Sequence, residues 1–215
     1  MFAKLSTFFF AKPQILGPFN HARWNNVSKN FRAHPKRCVT TEGKIVANIK
    51  GVHTYTLRKT INASLNNTYH VISEVSKYKE FLPYCTESWV SKRDPSNEDK
   101  PMQGGLRVGY KQYDENFDCL IQCLKSSDNS LERIVIAESL PDQLFDKLHT
   151  KWIIVENDQK KCEVELRLDF KFKSRFYNSI SSLFAKTLTD VVMKAFTRQI
   201  AHVQKEYYLK QKTTA

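Results

Sequence analysis

The stretch Cys162-Glu-Val-Glu-Leu-Arg-Leu-Asp-Phe-Lys-Phe172, followed at once by Lys-Ser174, decides the fold. Apolar residues at Cys162, Val164, Leu166, Leu168, Phe170 and Phe172 alternate without a break against Glu163, Glu165, Arg167, Asp169 and Lys171. This is the pattern of a strand with one dry and one wet face. Ser174 can then cap a run whose apolar residues fall at Phe176, Ile180, Phe184, Leu188, Val191, Ala195, Phe196, Ile200, Val203 and Tyr207, a helical spacing. The run predicts a helix of about 33 residues, roughly 50 Å long. A helix of that length needs a large apolar surface to lie on, so the preceding strands are expected to curl around it.

Working outward, β-branched and aromatic residues predict strands at Val52–Ile61, Tyr84–Arg93, Leu106–Lys111, Phe117–Cys123, Leu131–Leu140 and His149–Val155. Two short helices, Ser64–Val75 and Lys77–Leu82, follow the first strand, and Pro83 stops the second. Strands joined by brief turns make an antiparallel meander. The expected class is α+β: a curved seven-stranded antiparallel sheet gripping one long C-terminal helix. Its inward set, Leu106, Val108, Tyr110, Cys119, Ile121, Cys123, Ile134, Ile136, Trp152, Ile154, Val164, Leu166, Leu168 and Phe170, is nearly free of charge. The same residue types suit a filled core and an apolar cavity, and the sequence leaves both open.

Composition narrows the function classes. The chain has 215 residues and a net charge of +12. Residues 1–41 hold seven basic residues and no acidic one; without them, 27 Lys and Arg against 22 Asp and Glu leave +5. That leader also carries Phe8, Phe9, Phe10, Ile15, Leu16, Phe19 and Trp24, and it reads as a mitochondrial transit peptide rather than a secretory signal. The expected division is a leader at 1–45, a folded body at 50–208 and a disordered tail at 209–215. The five cysteines contain no CxxC pair, and Cys119 and Cys123 would stand about 13 Å apart along a strand, too far for a disulfide or a shared metal. No HxxxH, HExxH, GxSxG or phosphate-binding glycine loop occurs. Glu87 and Asp118 read as surface residues, so catalysis has no evident acid–base pair. On the last helix Lys186, Lys194, Arg198 and Lys205 share one sector, read as a solvated face.

Four segments in order carry a resemblance: Tyr78–Val90 (YKEFLPYCTESWV), Gly105–Gly109 (GLRVG), Phe145–Trp152 (FDKLHTKW) and Asp169–Ser174 (DFKFKS), joined by Val191–Ile200 (VVMKAFTRQI). Together they resemble the mitochondrial coenzyme Q-binding protein family of the START-like, helix-grip lipid-binding superfamily, over about residues 50 to 208. The chain departs from the family in having Tyr84 where a Trp follows the Pro, and Cys119 where a hydroxyl residue is usual. The resemblance implies a non-catalytic protein that binds ubiquinone as cargo, with no catalytic cofactor, no metal and no nucleic-acid partner. It implies a place peripheral to the inner mitochondrial membrane on the matrix side, with respiratory-chain or quinone-synthesis complexes as candidate partners. The candidate ligand surface comprises the turn Phe81, Leu82, Pro83 and Tyr84 as an entrance, and Val90, Val108, Tyr110, Ile121, Ile136, Trp152, Leu166, Phe184, Leu188 and Val192 as walls. Tyr84, Tyr110 and Trp152 are candidate donors to the quinone head. The alternatives are a helix-grip enzyme of the polyketide cyclase type and a ribosome- or RNA-associated module. The interleaved charges of the body disfavour the second.

Overall fold

The computed structural model describes residues 42–49, 51–110, 113–125, 131–141 and 144–213, with side chains placed at 51–109, 114–125, 131–141, 144–174 and 190–213. The chain order is β1 (Glu42–Ile49), β2 (Val52–Ile61), α1 (Leu65–Ser73), a 3₁₀ helix (Val75–Glu80), β3 (Cys85–Asp94), β4 (Lys100–Tyr110), β5 (Tyr113–Lys125), β6 (Glu132–Ser139), β7 (Phe145–Glu156), β8 (Cys162–Phe172) and α2 (Arg175–Thr213). The strands form one antiparallel sheet in the order β1-β2-β8-β7-β6-β5-β4-β3. The α+β helix-grip class is the one the sequence predicts, with all seven expected strands in place.

β8 keeps its predicted bounds because it alternates strictly and β2 because β-branched and aromatic residues fill it, and they pair without a shift from His53 opposite Phe170 to Ile61 opposite Cys162. An eighth strand, β1, is added at the edge. It pairs with β2 down to Ile49 opposite Val52, and in the connection Gly51 takes a φ of 77° that favours glycine. β1 overlaps the stretch the sequence assigns to the leader, and residues 1–41 lie outside the described residues. At the other end α2 continues through Thr213, across residues read as tail; Gln204 is its last buried residue, and from Lys205 onward the helix is exposed. Tyr207 therefore extends the apolar stripe past the body and stands 48% exposed.

Register corrects one assignment on the inner face. Cys123 pairs with Val135 and Ile121 with Ala137, so Val135 and Ala137 face inward. Ile134 and Ile136, expected inside, point to the outer face of the sheet. The run Ile134-Val-Ile-Ala137 is apolar throughout and carries no period from which parity could be read. Of the charges that share the inner parity, Lys59, Lys125, Arg133 and Glu156 sit toward the end of the sheet where β2 and β7 finish and β6 begins, and Glu115, opposite Val108, sits toward the other end. Burial, with Lys194 close by, lowers the pKa of Lys59.

Two clasps hold the helices to the sheet. Gln204 on α2 is buried, and its Oε1 accepts from the Ser64 backbone N–H and from Asn67 Nδ2, both at 2.9 Å, at the start of α1. Ser64 caps α1 by accepting from the Asn67 N–H. After α1, Glu74 receives both terminal nitrogens of Arg93 on β3, at 2.7 and 3.0 Å, together with the Ser76 hydroxyl. Burial pushes the Glu74 carboxyl up, but these bonds outweigh it and the pKa falls below the usual glutamate value.

β4 begins at Lys100, earlier than expected, because Gly104 and Gly105 lie inside the strand rather than in a loop. A Cβ on Gly104 would meet Trp89 O at 2.3 Å, and one on Gly105 would meet Trp89 Cζ2 at 2.4 Å and Phe117 O at 2.5 Å. The Trp89 indole lies over Gly105 and donates to Asp118 Oδ1 at 2.9 Å. Gly105→Ala is accordingly expected to lower stability by about 1–3 kcal/mol in urea unfolding. Gly109→Ala, whose added methyl would meet first the Thr86 Cγ2 methyl at 3.1 Å, is expected to cost clearly less.

Candidate functional site

The inner face of the sheet carries two separate apolar clusters. The larger is closed. It joins Leu57, Ile121, Trp152, Ile154, Val164 and Leu166 of the sheet to Leu65, Tyr69 and Ile72 of α1 and to Met193, Phe196 and Ile200 of α2. Phe196 is its keystone, with ring centroids 4.7 Å from Trp152, 5.0 Å from Tyr78 and 5.1 Å from Phe81. The smaller cluster is built on Tyr55 and Phe170, with Leu148, Leu168 and Phe172 half-buried around it.

This second cluster extends into an aromatic track that crosses the strands. His53 and Tyr55 of β2 lie 5.3 and 6.0 Å from Phe170 of β8; Phe170 lies 5.6 Å from Phe172; Phe172 stacks at 4.8 Å on Phe145 of β7; and Phe145 meets Phe117 of β5 edge-on at 5.4 Å. Each step follows from register. His53 is opposite Phe170 and Phe145 is opposite Phe172. β6 stops at Ser139, and the chain returns through Leu140, whose N–H bonds to Asp118 O at 2.8 Å, so nothing of β6 separates Phe145 from Phe117. Phe117 also packs against the larger cluster and bridges the two.

The track lies at the end of the sheet where β8 leads into α2. Lys173 N–H bonds to Leu144 O at 3.0 Å there, and the helix begins two residues later. The side chains of the first turns of α2, including the predicted wall residues Phe184 and Leu188, lie outside the described residues, as does that of Tyr110.

The other predicted site residues divide between the two regions. Ile121, Trp152 and Leu166 are buried in the closed cluster, and Phe81, Leu82, Val90 and Val192 pack against it. Phe81 is part of the Phe196 aromatic cluster, so at this residue the turn caps the core rather than opening it. Pro83 and Val108 are half-buried, and Tyr84 is 50% exposed with a φ of 67°, its carbonyl accepting from the Gly109 N–H at 2.9 Å. Ile136 belongs to the other face. Sequence reasoning left His53, Tyr55, Phe117, Phe145, Leu148 and Phe172 out of the site. The alternation of β2 and β8 carried the signal for His53, Tyr55 and Phe172, whereas the meeting of Phe145 with Phe117 depends on where β6 ends.

Polar chemistry is concentrated elsewhere. Glu87 pairs with Arg107 at 2.7 Å and Asp118 accepts from Trp89, both on the outer face. Asp169 is buried on that same face, accepting from Thr54 Oγ1 at 2.6 Å, with His149 Nδ1 3.8 Å away; this pair backs the track and does not enter it. The described cysteines are free thiols, and burial pushes Cys123 up to about 11. Tyr55, by burial, is raised above the ordinary tyrosine value. Inside the track the described side chains offer hydrocarbon, one imidazole and one protonated phenol.

The chain matches the family model described as polyketide cyclase / dehydrase and lipid transport over residues 61–197. It is 48% identical over 158 residues to the mitochondrial coenzyme Q-binding protein COQ10 of Saccharomyces cerevisiae, covering 73% of this chain and 74% of that protein. It is 47% identical over 154 residues to the protein of the same name from Eremothecium gossypii, covering 71% and 74%. Among solved structures, human STARD10 superposes with a TM-score of 0.60 at 13% identity, covering 80% of this chain and 78% of that one, a likeness of fold.

The two clusters predict different responses to truncation. Trp152→Ala and Phe81→Ala each remove a ring from Phe196, and Trp152→Ala should cost about 3–5 kcal/mol. Phe81, half-buried, should cost less than that, and Tyr84→Ala should leave the unfolding midpoint within about 0.5 kcal/mol of the parent. Thermal and denaturant unfolding of the three variants checks the order.

Proposed function

Because this chain belongs to the mitochondrial coenzyme Q-binding protein family, within the polyketide cyclase / dehydrase and lipid-transport family, we propose that it is a non-catalytic carrier that holds ubiquinone along the aromatic track. The observation that carries the reading is the track itself: a row of rings on the inner face, at the end of the sheet where β8 leads into α2.

The physics of the cargo asks for such a surface. An isoprenoid tail has no group that water can satisfy, and each CH2 withdrawn from water contributes about 0.8 kcal/mol. A row of phenyl rings supplies contact without hydrogen-bond demands, so a tail can slide into any of several positions with little change in energy. The walls in this reading are Leu148, Leu168, Phe170, Phe172, Phe145 and Phe117, with Val108 near the rim. Trp152, Leu166 and Ile121 close the deep end. Turnover would require an acid or base aimed at the cargo; Asp169 and Asp118 behind the track are committed to bonds on the outer face, and Glu115, on the inner parity beyond Phe117, is exposed to water.

The acid-free leader and the relatives named as mitochondrial support import into mitochondria. A water-insoluble cargo must be collected from a bilayer, which favours a peripheral position on the matrix side of the inner membrane, near complexes that make or use quinone. No described helix is long and apolar enough to cross a membrane.

Protein purified from a quinone-producing host is expected to carry ubiquinone, recovered by solvent extraction and identified by mass spectrometry; recovery of none would overturn the assignment. Phe172→Glu and Leu148→Glu place a charge on the track at half-buried positions outside the closed cluster. They should reduce co-purified quinone at least tenfold, while their unfolding midpoints move far less than that of Trp152→Ala.

A further inference from the structure

The C-terminal run of α2 carries a line of unpaired charge. Lys194, Arg198, Lys205 and Lys212 recur at helical spacing, so at 3.6 residues per turn they fall within about 40° of one another along about 27 Å of the helix. All four are exposed, on the side of α2 away from the buried Phe196, Ile200 and Gln204, and none makes an ion pair or a side-chain hydrogen bond among the described residues. The one carboxylate of residues 191–213, Glu206, lies off the line, 3.8 Å from His202. Lys59 of β2 adds a further cation at the near end of the line: burial, with Lys194 close by, lowers its pKa, so positive charge is crowded here without a counter-charge. Past Gln204 the line runs between two apolar side chains. Tyr208 and Leu209 flank it between Lys205 and Lys212 and are 57% and 54% exposed, with Tyr207 next to them at 48%. Three consecutive large apolar residues on a helix that has outrun its core are more than a solvated face requires.

We propose that the face of α2 from Lys194 to Lys212 is the surface with which the protein docks on an anionic bilayer, the four cations against lipid phosphates and Tyr208 and Leu209 at headgroup depth. This rests on the carrier reading above for the choice of partner, and adds to it the surface that meets the membrane. A plane touches a rod along one line, and the four cations occupy one line; their arrangement complements a flat layer of phosphates in shape as well as in sign. Each Lys or Arg close to such a layer is held by its negative potential, while an aromatic and an aliphatic side chain beside them enter the interfacial region, where amphipathic helices lie in the plane of the membrane. α2 is continuous from Arg175, next to the track, to Thr213, so a helix lying flat keeps the end of the sheet that carries the track at the membrane too.

The test floats the full chain with phosphatidylcholine vesicles, with and without phosphatidylglycerol, and measures bound protein and co-purified ubiquinone on the same preparations. In every arm the seven basic residues of 1–41 are changed to Gln, so that only the cations of the body are read. The parent should bind the anionic vesicles at least roughly tenfold more tightly than the neutral ones, and salt should weaken that binding. Lys194→Gln, Arg198→Gln, Lys205→Gln and Lys212→Gln should each weaken it several-fold, and the four together by roughly a hundredfold or more. Tyr208→Ser with Leu209→Ser should remove a part of the binding that salt does not. All six positions are exposed, so the unfolding midpoints should stay at the parent's. Lys79, Lys92, Lys147 and Lys160, exposed cations off the line, changed together to Gln, should leave binding within about threefold. An off-line variant as weak as the four on the line, a parent that binds both vesicles equally, or a parent that prefers a single-stranded RNA to the anionic vesicles at equal phosphate would overturn the docking surface, the last in favour of a nucleic-acid partner. Ubiquinone retained by a parent that does not dock would overturn the docking surface and leave the carrier reading standing. Docking by a parent that holds no ubiquinone would overturn the carrier reading alone.

Discussion

The ring of Phe196 is where the molecule is held together. It brings α2 onto Trp152 of the sheet and onto Tyr78 and Phe81 of the 3₁₀ helix and its following turn, with three ring contacts between 4.7 and 5.1 Å. Gln204, two turns further along, ties the same helix to the start of α1 through two bonds of 2.9 Å. Both anchors lie in the C-terminal half of α2. The part of the inner face beyond them carries Tyr55 and Phe170, both buried, and Phe172, half-buried. The described anchors of α2 thus mark one half of the inner face, and the aromatic track occupies the other.

How much of this was legible depends on periodicity. β8 alternates strictly, and its bounds and inward set follow from the sequence alone; β2 is bounded by its β-branched and aromatic content, and its inward set, broken by Lys59, comes from its register with β8. β6 does not alternate, so Ile136 was assigned to the cavity when its neighbours Val135 and Ala137 face inward. β1 has too little pattern of its own to be seen; it exists because Gly51 permits the connection beside an edge that needs a partner. The glycines of β4 read as loop signals because their reason is a close approach to Trp89 that only tertiary contact reveals. The site was legible as a class of surface and not as a list of residues. The turn Phe81–Tyr84 drew attention as apolar residues on a connection, yet Phe81 is fixed by Phe196, a partner 115 positions later in the chain. Local pattern finds which face is apolar; it does not say which part of that face another element covers.

Charge is sorted in a way that supports a passive role. The outer face and the edges carry the cross-strand pairs Arg58–Glu165, Arg107–Glu87 and Arg107–Asp114. Exposed pairs of this kind add little to stability, about 0–1 kcal/mol each, so register rests on the apolar face they leave behind. Asp169 is the exception: it is buried, bonded to Thr54 and flanked by Arg167 and His149, on the side of β8 directly behind Phe170. A carboxylate bonded to Thr54 of β2 and to Arg167 of its own strand at that point ties β2 to β8 behind the track. An enzyme of the same architecture would need such a group turned through the sheet.

The rings of the track are buried or half-buried, Tyr55 and Phe170 at 5% exposure each. Apolar surface that stays in contact with water at the half-buried positions forgoes about 25 cal/mol for each Å² that cargo would cover. A lipid that binds only the folded state repays part of that difference by mass action, adding RT ln(1 + [L]/Kd) to the free energy of unfolding, about 2.7 kcal/mol when free ligand stands at a hundred times Kd. The loaded protein is then the more stable form, and release of cargo is opposed unless the receiving site covers the same apolar surface. A bilayer does so, because its interior accepts the tail without exposing it to water. Under the proposed carrier role, the property that holds a tail against the track in water is therefore the one that lets a bilayer receive it.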